Sequence, residues 1–160
     1  MPAKLLPGSE IAKTIQQELK QTIISRHSRE LNQPGLDVIL VGNNPASASY
    51  VGHKQRACDH VGIRSHCHRL PETTSQATLL NLIQTLNNNP ATHGILLQLP
   101  LPPHLDSQSL LSEINPDKDV DGFHPTNIGK LALRQPHLRP CTPYGVITLL
   151  QHTQEKLAGK

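Results

Sequence analysis

At 160 residues the chain has room for one domain with a real hydrophobic core and is too short for two ordinary ones. Hydrophobic residues make up 36%, charged residues 17%, and the formal charge is +3, a composition that excludes a disordered chain and a strongly basic one. Tyr50, Tyr144 and Phe123 are the only aromatic residues, so the core is aliphatic and no basic-aromatic surface for stacking bases exists; nucleic acid is not expected as a partner.

The spacing of Ile11, Ile15, Leu19 and Ile23 predicts an amphipathic first helix capped by Ser9. Asn32-Gln33-Pro34-Gly35 breaks it, and Leu36 to Val41 reads as the nearly all-apolar strand that a parallel sheet buries on both faces. After Gly42-Asn43-Asn44, Pro45 suits the start of a second helix, from about Ala46 to Val61, that stops at Gly62. Ile63 to Leu70 is a more polar strand, expected near an edge. Thr74 or Ser75 opens a third helix burying Leu79, Leu82, Ile83 and Leu86, which Asn87-Asn88-Asn89-Pro90 ends. Gly94 to Leu99 is the most hydrophobic strand, interrupted only by Gln98.

Asp106 then caps a short helix through Ile114, and Asp117 to Pro125 forms a loop dense in charge and turn residues. A last helix follows Pro140, with Thr142 as cap and an apolar face of Val146, Ile147, Leu150 and Leu157. Alternating strands and helices joined by short turns predict an α/β fold, a three-layer αβα arrangement around a mostly parallel sheet. Ligands of such sheets sit at the carboxyl ends of the strands.

Three cysteines, Cys58, Cys67 and Cys141, are odd in number and widely spaced, which argues against a disulfide framework and for a reducing compartment. No stretch approaches the roughly 18 apolar residues of a membrane span, and the expected location is cytoplasmic, with no membrane partner. His66-Cys67-His68 is the nearest approach to a metal cluster, but on a strand Cys67 faces away from its neighbours, and no metal site is expected.

Five positions are candidates for the chemistry. On the second helix Tyr50 and Lys54 are four residues apart and share a face, a flat ring beside an amine that can donate, accept or polarise. A solvated surface lysine is the alternative. Gln98 closes an apolar strand, where its amide either orients Lys54 or a ligand, or pairs with backbone. Asp119 and Asp121 point to one side of an extended segment; one of them reads as structural, while Asp121, followed by Gly122, can accept two parallel N–H bonds from an amidine-like edge. Gly129-Lys130 resembles the end of a phosphate loop but lacks its first glycine and its Ser/Thr, and no GxGxxG occurs.

Read together, VGNNPASASYVGHKQRAC, GILLQLPLP, PDKDVDGFHPTNIGKL and RPCTPYGVITLL closely resemble the amino-terminal catalytic domain of the bifunctional methylenetetrahydrofolate dehydrogenase/cyclohydrolase family, from about Gly8 to Leu150. The resemblance implies that residues 1–160 are a folate-binding catalytic domain. It implies NADP-linked oxidation of methylenetetrahydrofolate to the methenyl form and hydrolysis of that to 10-formyltetrahydrofolate. It places Lys54 and Gln98 as catalytic residues, Tyr50, Asp121 and Pro100 against the folate, and NADP on a Rossmann domain whose fingerprint this sequence lacks. The expectation is therefore a shortened chain with hydride transfer lost or impaired, monomeric where the family forms homodimers. Gly52-His53 stands where the family often has Arg-Asn, and Tyr144 where a basic residue is common; neither touches a named catalytic position. A folate-binding domain without turnover and a His-rich metal-binding module are the alternatives from other classes.

Overall fold

The computed structural model describes residues 5–27, 31–135, 137–153 and 159. Its centre is strand β1 (Gly35–Val41), paired in parallel with β2 (Arg64–Leu70) on one side and β3 (Gly94–Leu97) on the other. The central place explains the composition of β1. Flanked by strands and covered on both faces, it buries every residue except the half-buried Leu36, so its apolar run does not alternate. At the edge, β2 stays half-buried and polar, as its sequence predicts.

Helix α1 (Gly8–His27) leads into β1, α2 (Pro45–Val61) joins β1 to β2, and α3 (Gln76–Asn88) joins β2 to β3. The chain steps outward from β1 to β2 and then back across β1 to β3, and this reversal sends the two connecting helices to opposite faces. On one face Ile39, Val41, Ile95 and Leu97 pack with Leu79, Ile83 and Leu86 of α3 and with Leu110 of α4 (Ser107–Ser112). On the other, Val38, Leu40 and Leu96 meet Val51 of α2. The result is the three-layer α/β fold expected.

The caps follow side-chain chemistry where a short polar residue is placed to act. Asn44 accepts from Ser47 N–H with Pro45 in the first turn, Ser75 accepts from Thr78 N–H, and Asp106 accepts from the N–H groups of Gln108 and Ser109. Gly62 ends α2 at φ 89°, the left-handed region that glycine enters without strain.

Three expectations are corrected. Ser9 does not cap α1, which begins at Gly8, because the Pro7 carbonyl accepts from Glu10 and Ile11 N–H and closes the first turn earlier. Ile11 and Ile23 are buried, whereas Ile15 and Leu19 are 44% and 40% exposed, so only the ends of the predicted stripe reach the core. Thr142 does not cap α6 (Cys141–Gln151); Pro140 occupies that position without a side-chain bond, and Val146 and Ile147 are exposed. Leu157 lies outside the described residues. A helix that the sequence reading does not include, α5 (Pro125–Ala132), begins at the last residue of the predicted loop, with His124 Nδ1 accepting from Thr126 N–H.

Candidate active site

Between α2 and the loop after α4 runs a cleft of about 740 Å³ along the β1 and β3 strands. Tyr50, Lys54, Ala57 and Cys58 line it from α2, one residue per turn or less, the face that helical spacing creates. Leu36, Gly94 and Leu96 form its floor, and Val120, Asp121, Phe123, Cys141 and Thr142 close the opposite wall. It runs along the sheet face between β1 and β3, where the strand order reverses, from Leu36 and Gly94 near the strand starts to Gln98 beyond the end of β3, while Gly42 and Asn43 after β1 line a separate cavity.

Lys54 Nζ donates to Gln98 Oε1 at 3.4 Å, and Gln98 Nε2 donates to Leu99 O at 2.7 Å. The second bond fixes the amide, because a carbonyl neighbour accepts only from the NH2 end, so Oε1 is the atom turned to the lysine. Gln98 N–H itself donates to Ile39 O at 2.9 Å, which ties the residue to the sheet just beyond β3. The polar end of an apolar strand thus holds a cation rather than pairing only with backbone. Tyr50 is 63% exposed, a ring left open for a flat ligand.

The two carboxylates separate into different jobs. Asp119 is 2% exposed and accepts from His124 N–H at 2.8 Å and Asn127 Nδ2 at 2.9 Å, so it serves the loop. Asp121 faces the cleft. Burial pushes its carboxyl above the usual range; Lys54 pulls it back, Asp119 adds to the rise, and the neighbouring Cys141 thiol opposes it, with the net direction upward. The Cys141 thiol, within 3.3 Å of Val120 O, is itself raised by burial and by Asp121, so it stays protonated and is a donor rather than a nucleophile.

The structure brings Tyr50, Lys54, Gln98 and Asp121 to one cleft, but not Pro100. Pro100 follows the cis Leu99–Pro100 peptide and lines a separate cavity of about 360 Å³ with Gly42, Asn43, Asn44 and Glu72. Gly129-Lys130 lies inside α5, not on a phosphate-cradling loop. Among the described residues no three His, Cys, Asp or Glu are grouped to hold a metal, and His68 is engaged instead, its Nε2 2.9 Å from Asp37 Oδ1. No helix among them is long and apolar enough to cross a membrane. Asn127 escaped the sequence reading, and Cys141 entered it only as an unpaired cysteine, not as part of the cleft. Cys141 adjoins a recognisable helix start, whereas Asn127 carries no local signal, since its partners are 8 and 11 residues away.

An α/β domain with a lysine, an amide and a half-buried carboxylate converging on an apolar cleft is a small-molecule catalytic domain in form. Residues 6–121 match the catalytic domain of tetrahydrofolate dehydrogenase/cyclohydrolase, and the chain belongs to that family. It is similar to the bifunctional methylenetetrahydrofolate dehydrogenase/cyclohydrolase of Campylobacter jejuni, with 45% identity and a TM-score of 0.91 over 94% of this chain and 54% of that one. The methylenetetrahydrofolate dehydrogenase of the silkworm Bombyx mori is 36% identical, with a TM-score of 0.93 over 96% of this chain and 53% of that one. The Trypanosoma brucei dehydrogenase-cyclohydrolase, solved with NADP cofactor and inhibitor, is 36% identical, with a TM-score of 0.94 over 100% and 55%. The chain spans about half the length of these relatives.

Proposed function

We propose that the cleft binds a tetrahydrofolate through its pterin and one-carbon centre, and that Lys54 serves the hydrolysis of the methenyl form to 10-formyltetrahydrofolate. The observation that carries the reading is the convergence of the Lys54–Gln98 pair and Asp121 on one cleft beside the open ring of Tyr50. A 2-amino-4-oxo pterin presents an N–H and an NH2 side by side, the donor pair that an ionised carboxylate accepts in parallel; Asp121 takes that role. Tyr50 lies against the flat part of the ligand, and Gln98 holds Lys54.

The methenyl carbon, bonded to N5 and N10, is an electrophile. Water oxygen adds to it and loses one proton to give a hydroxyl adduct; the adduct then loses the hydroxyl proton as the formyl C=O forms and the bond to N5 breaks, N5 takes a proton, and the formyl group stays on N10. The sum is one water consumed and one proton released. Lys54 is the group in reach to move these protons, a contribution worth about 10²–10⁴ in rate for a positioned acid or base.

The family reading also includes NADP-linked oxidation of the methylene form, with NADP as hydride acceptor; the Trypanosoma brucei relative is solved with that cofactor. Where β1 enters α2 the described residues do not fit a dinucleotide's pyrophosphate: Pro45 has no N–H and Ser47 N–H is already donated to Asn44 Oδ1 at 3.0 Å. The steps above therefore use this chain's own residues alone. Pro100, on the far side of Gln98, is proposed to bound the substrate's approach rather than touch its pterin. A folate acting in one-carbon metabolism in the cytoplasm fits the family, as does a homodimer of the whole protein.

Titration calorimetry with 5-formyltetrahydrofolate and with its 2-desamino analogue tests the binding half. Loss of the 2-amino group is expected to weaken binding about tenfold or more, the worth of one charge-assisted hydrogen bond. Equal affinities would remove Asp121 from the role given to it.

A further inference from the structure

The one thiol proton beside Asp121, that of Cys141, is donated to Val120 O at 3.3 Å, so the aim of Asp121 depends on the backbone of the loop that carries it. That loop runs from Pro116 to the start of α5, and one side chain ties it together. Asn127, fully buried in α5, donates one Nδ2 proton to Pro116 O at 2.8 Å and the other to Asp119 Oδ2 at 2.9 Å. Asp119 Oδ2 also accepts from His124 N–H. Asn127 thus joins the beginning of the loop, its middle and the helix after it, with Asp121 held inside the span.

The amide is retained at a cost. Among the described residues Asn127 Oδ1 is buried with no hydrogen-bond partner, an arrangement that native proteins rarely tolerate. Flipping the amide offers no relief, because it would turn Oδ1 against the Asp119 carboxylate and the Pro116 carbonyl, both acceptors. A fold that needed only volume at this place would be served by an apolar side chain, which leaves no orphaned oxygen. What an apolar residue cannot supply is two N–H donors diverging to Pro116 and Asp119.

We propose that Asn127 is a positioning residue for Asp121: its two donated bonds fix the loop that turns the Asp121 carboxylate into the cleft. This rests on the reading of Asp121 as the group that receives the pterin, and the test separates the two. The variants are Asn127→Leu, which removes both donors without adding charge, and Asn127→Ser, which keeps one short donor. The first measurement needs no ligand: the carboxyl carbons of Asp121 and Asp37 are followed by NMR as pH is varied. The Asp121 midpoint is expected to move in both variants while that of Asp37, on the opposite face of the sheet, stays in place.

The second measurement titrates 5-formyltetrahydrofolate into wild type, Asn127→Leu, Asp121→Asn and the double variant. Asn127→Leu is expected to lose about tenfold in affinity alone and less than about threefold in the Asp121→Asn background, because the two changes act through one carboxylate. An unmoved Asp121 midpoint, or equal losses in both backgrounds, would overturn the proposal. So would loss of the circular dichroism of the folded state in both variants, since that assigns Asn127 to the fold alone. Should wild type fail to bind the folate, the pterin reading falls and the ligand-free titration still decides what Asn127 does.

Discussion

Lys54 on α2 and Gln98 beyond β3 are joined across the cleft by a 3.4 Å hydrogen bond, although 44 residues separate them in sequence. The bond aims a flexible ammonium from a rigid strand end. Gln98→Leu keeps the volume and removes the acceptor, leaving Lys54 free to wander by an ångström or more. Methenyl hydrolysis is expected to fall about 10–100-fold, mainly in kcat, as misplacement of a catalytic group does. Steady-state kinetics of the variant checks this.

Asp121→Asn trades function for stability. The folded protein raises this carboxyl's pKa, so ionised Asp121 is less comfortable in the fold than in the unfolded chain. Its contribution to stability is therefore greatest below the ordinary carboxyl pKa of about 3.9 and declines as pH rises through the higher folded value. At neutral pH the neutral amide is expected to stabilise by about 0.5–2 kcal/mol in urea denaturation while weakening pterin binding, the usual sign of a site residue. In wild type, affinity should fall on acidification at a pH above that of an ordinary aspartate, since only the carboxylate accepts both donors.

Asp37 has the opposite sign. Burial on β1 pushes its carboxyl up, but hydrogen bonds from His68, Thr92 and Arg64, together with the charge of Arg64, overcome that and hold it below the ordinary range. A depressed carboxyl stabilises above its unfolded pKa, and that stability is lost as pH falls through the folded one. Asp37→Asn is expected to cost about 1–3 kcal/mol at pH 7, with the gap to wild type closing below about pH 3.9. Chemical denaturation at both pH values measures it.

Gly122 follows the carboxylate at φ 67°, and an added Cβ would lie 2.6 Å from the Arg139 carbonyl carbon and 2.7 Å from Pro140 N. These are backbone atoms that cannot rotate away. Gly122→Ala is expected to destabilise by about 1–3 kcal/mol and to shift the Asp121 wall away from α6, weakening folate binding. Thermal melts and calorimetry on the same samples separate the two effects.

Much of the site was legible because it is written in local periods. Pro45 and Gly62 bound α2, and inside those bounds the spacing of Tyr50 and Lys54 leaves no choice of face. The apolar run ending at Gln98 marks a strand and the end at which polarity begins. What spacing could not separate was Asp119 from Asp121, since it puts them on one side; the family resemblance named Asp121, and α5 supplies the Asn127 amide that seals Asp119. That helix has eight residues, too short for its pattern to announce itself beyond the His124-Pro125 start, and it leaves Ile128 and Leu131 exposed. Asn127 was invisible for the same reason, and its role comes from contacts that exist only after folding. The faces of α1 and α6 misled in the other direction, because apolar spacing says which side is oily and not whether anything covers it.

The central claim is that Lys54 performs the chemistry of this cleft. Hydrolysis of methenyltetrahydrofolate by the 160-residue chain and by Lys54→Ala, followed by the loss of methenyl absorbance, tests it most directly. The account predicts a rate above the buffer reaction for the native chain and a drop of about 10²–10⁴ for the variant with the fold unchanged. Equal rates for the two proteins would contradict it.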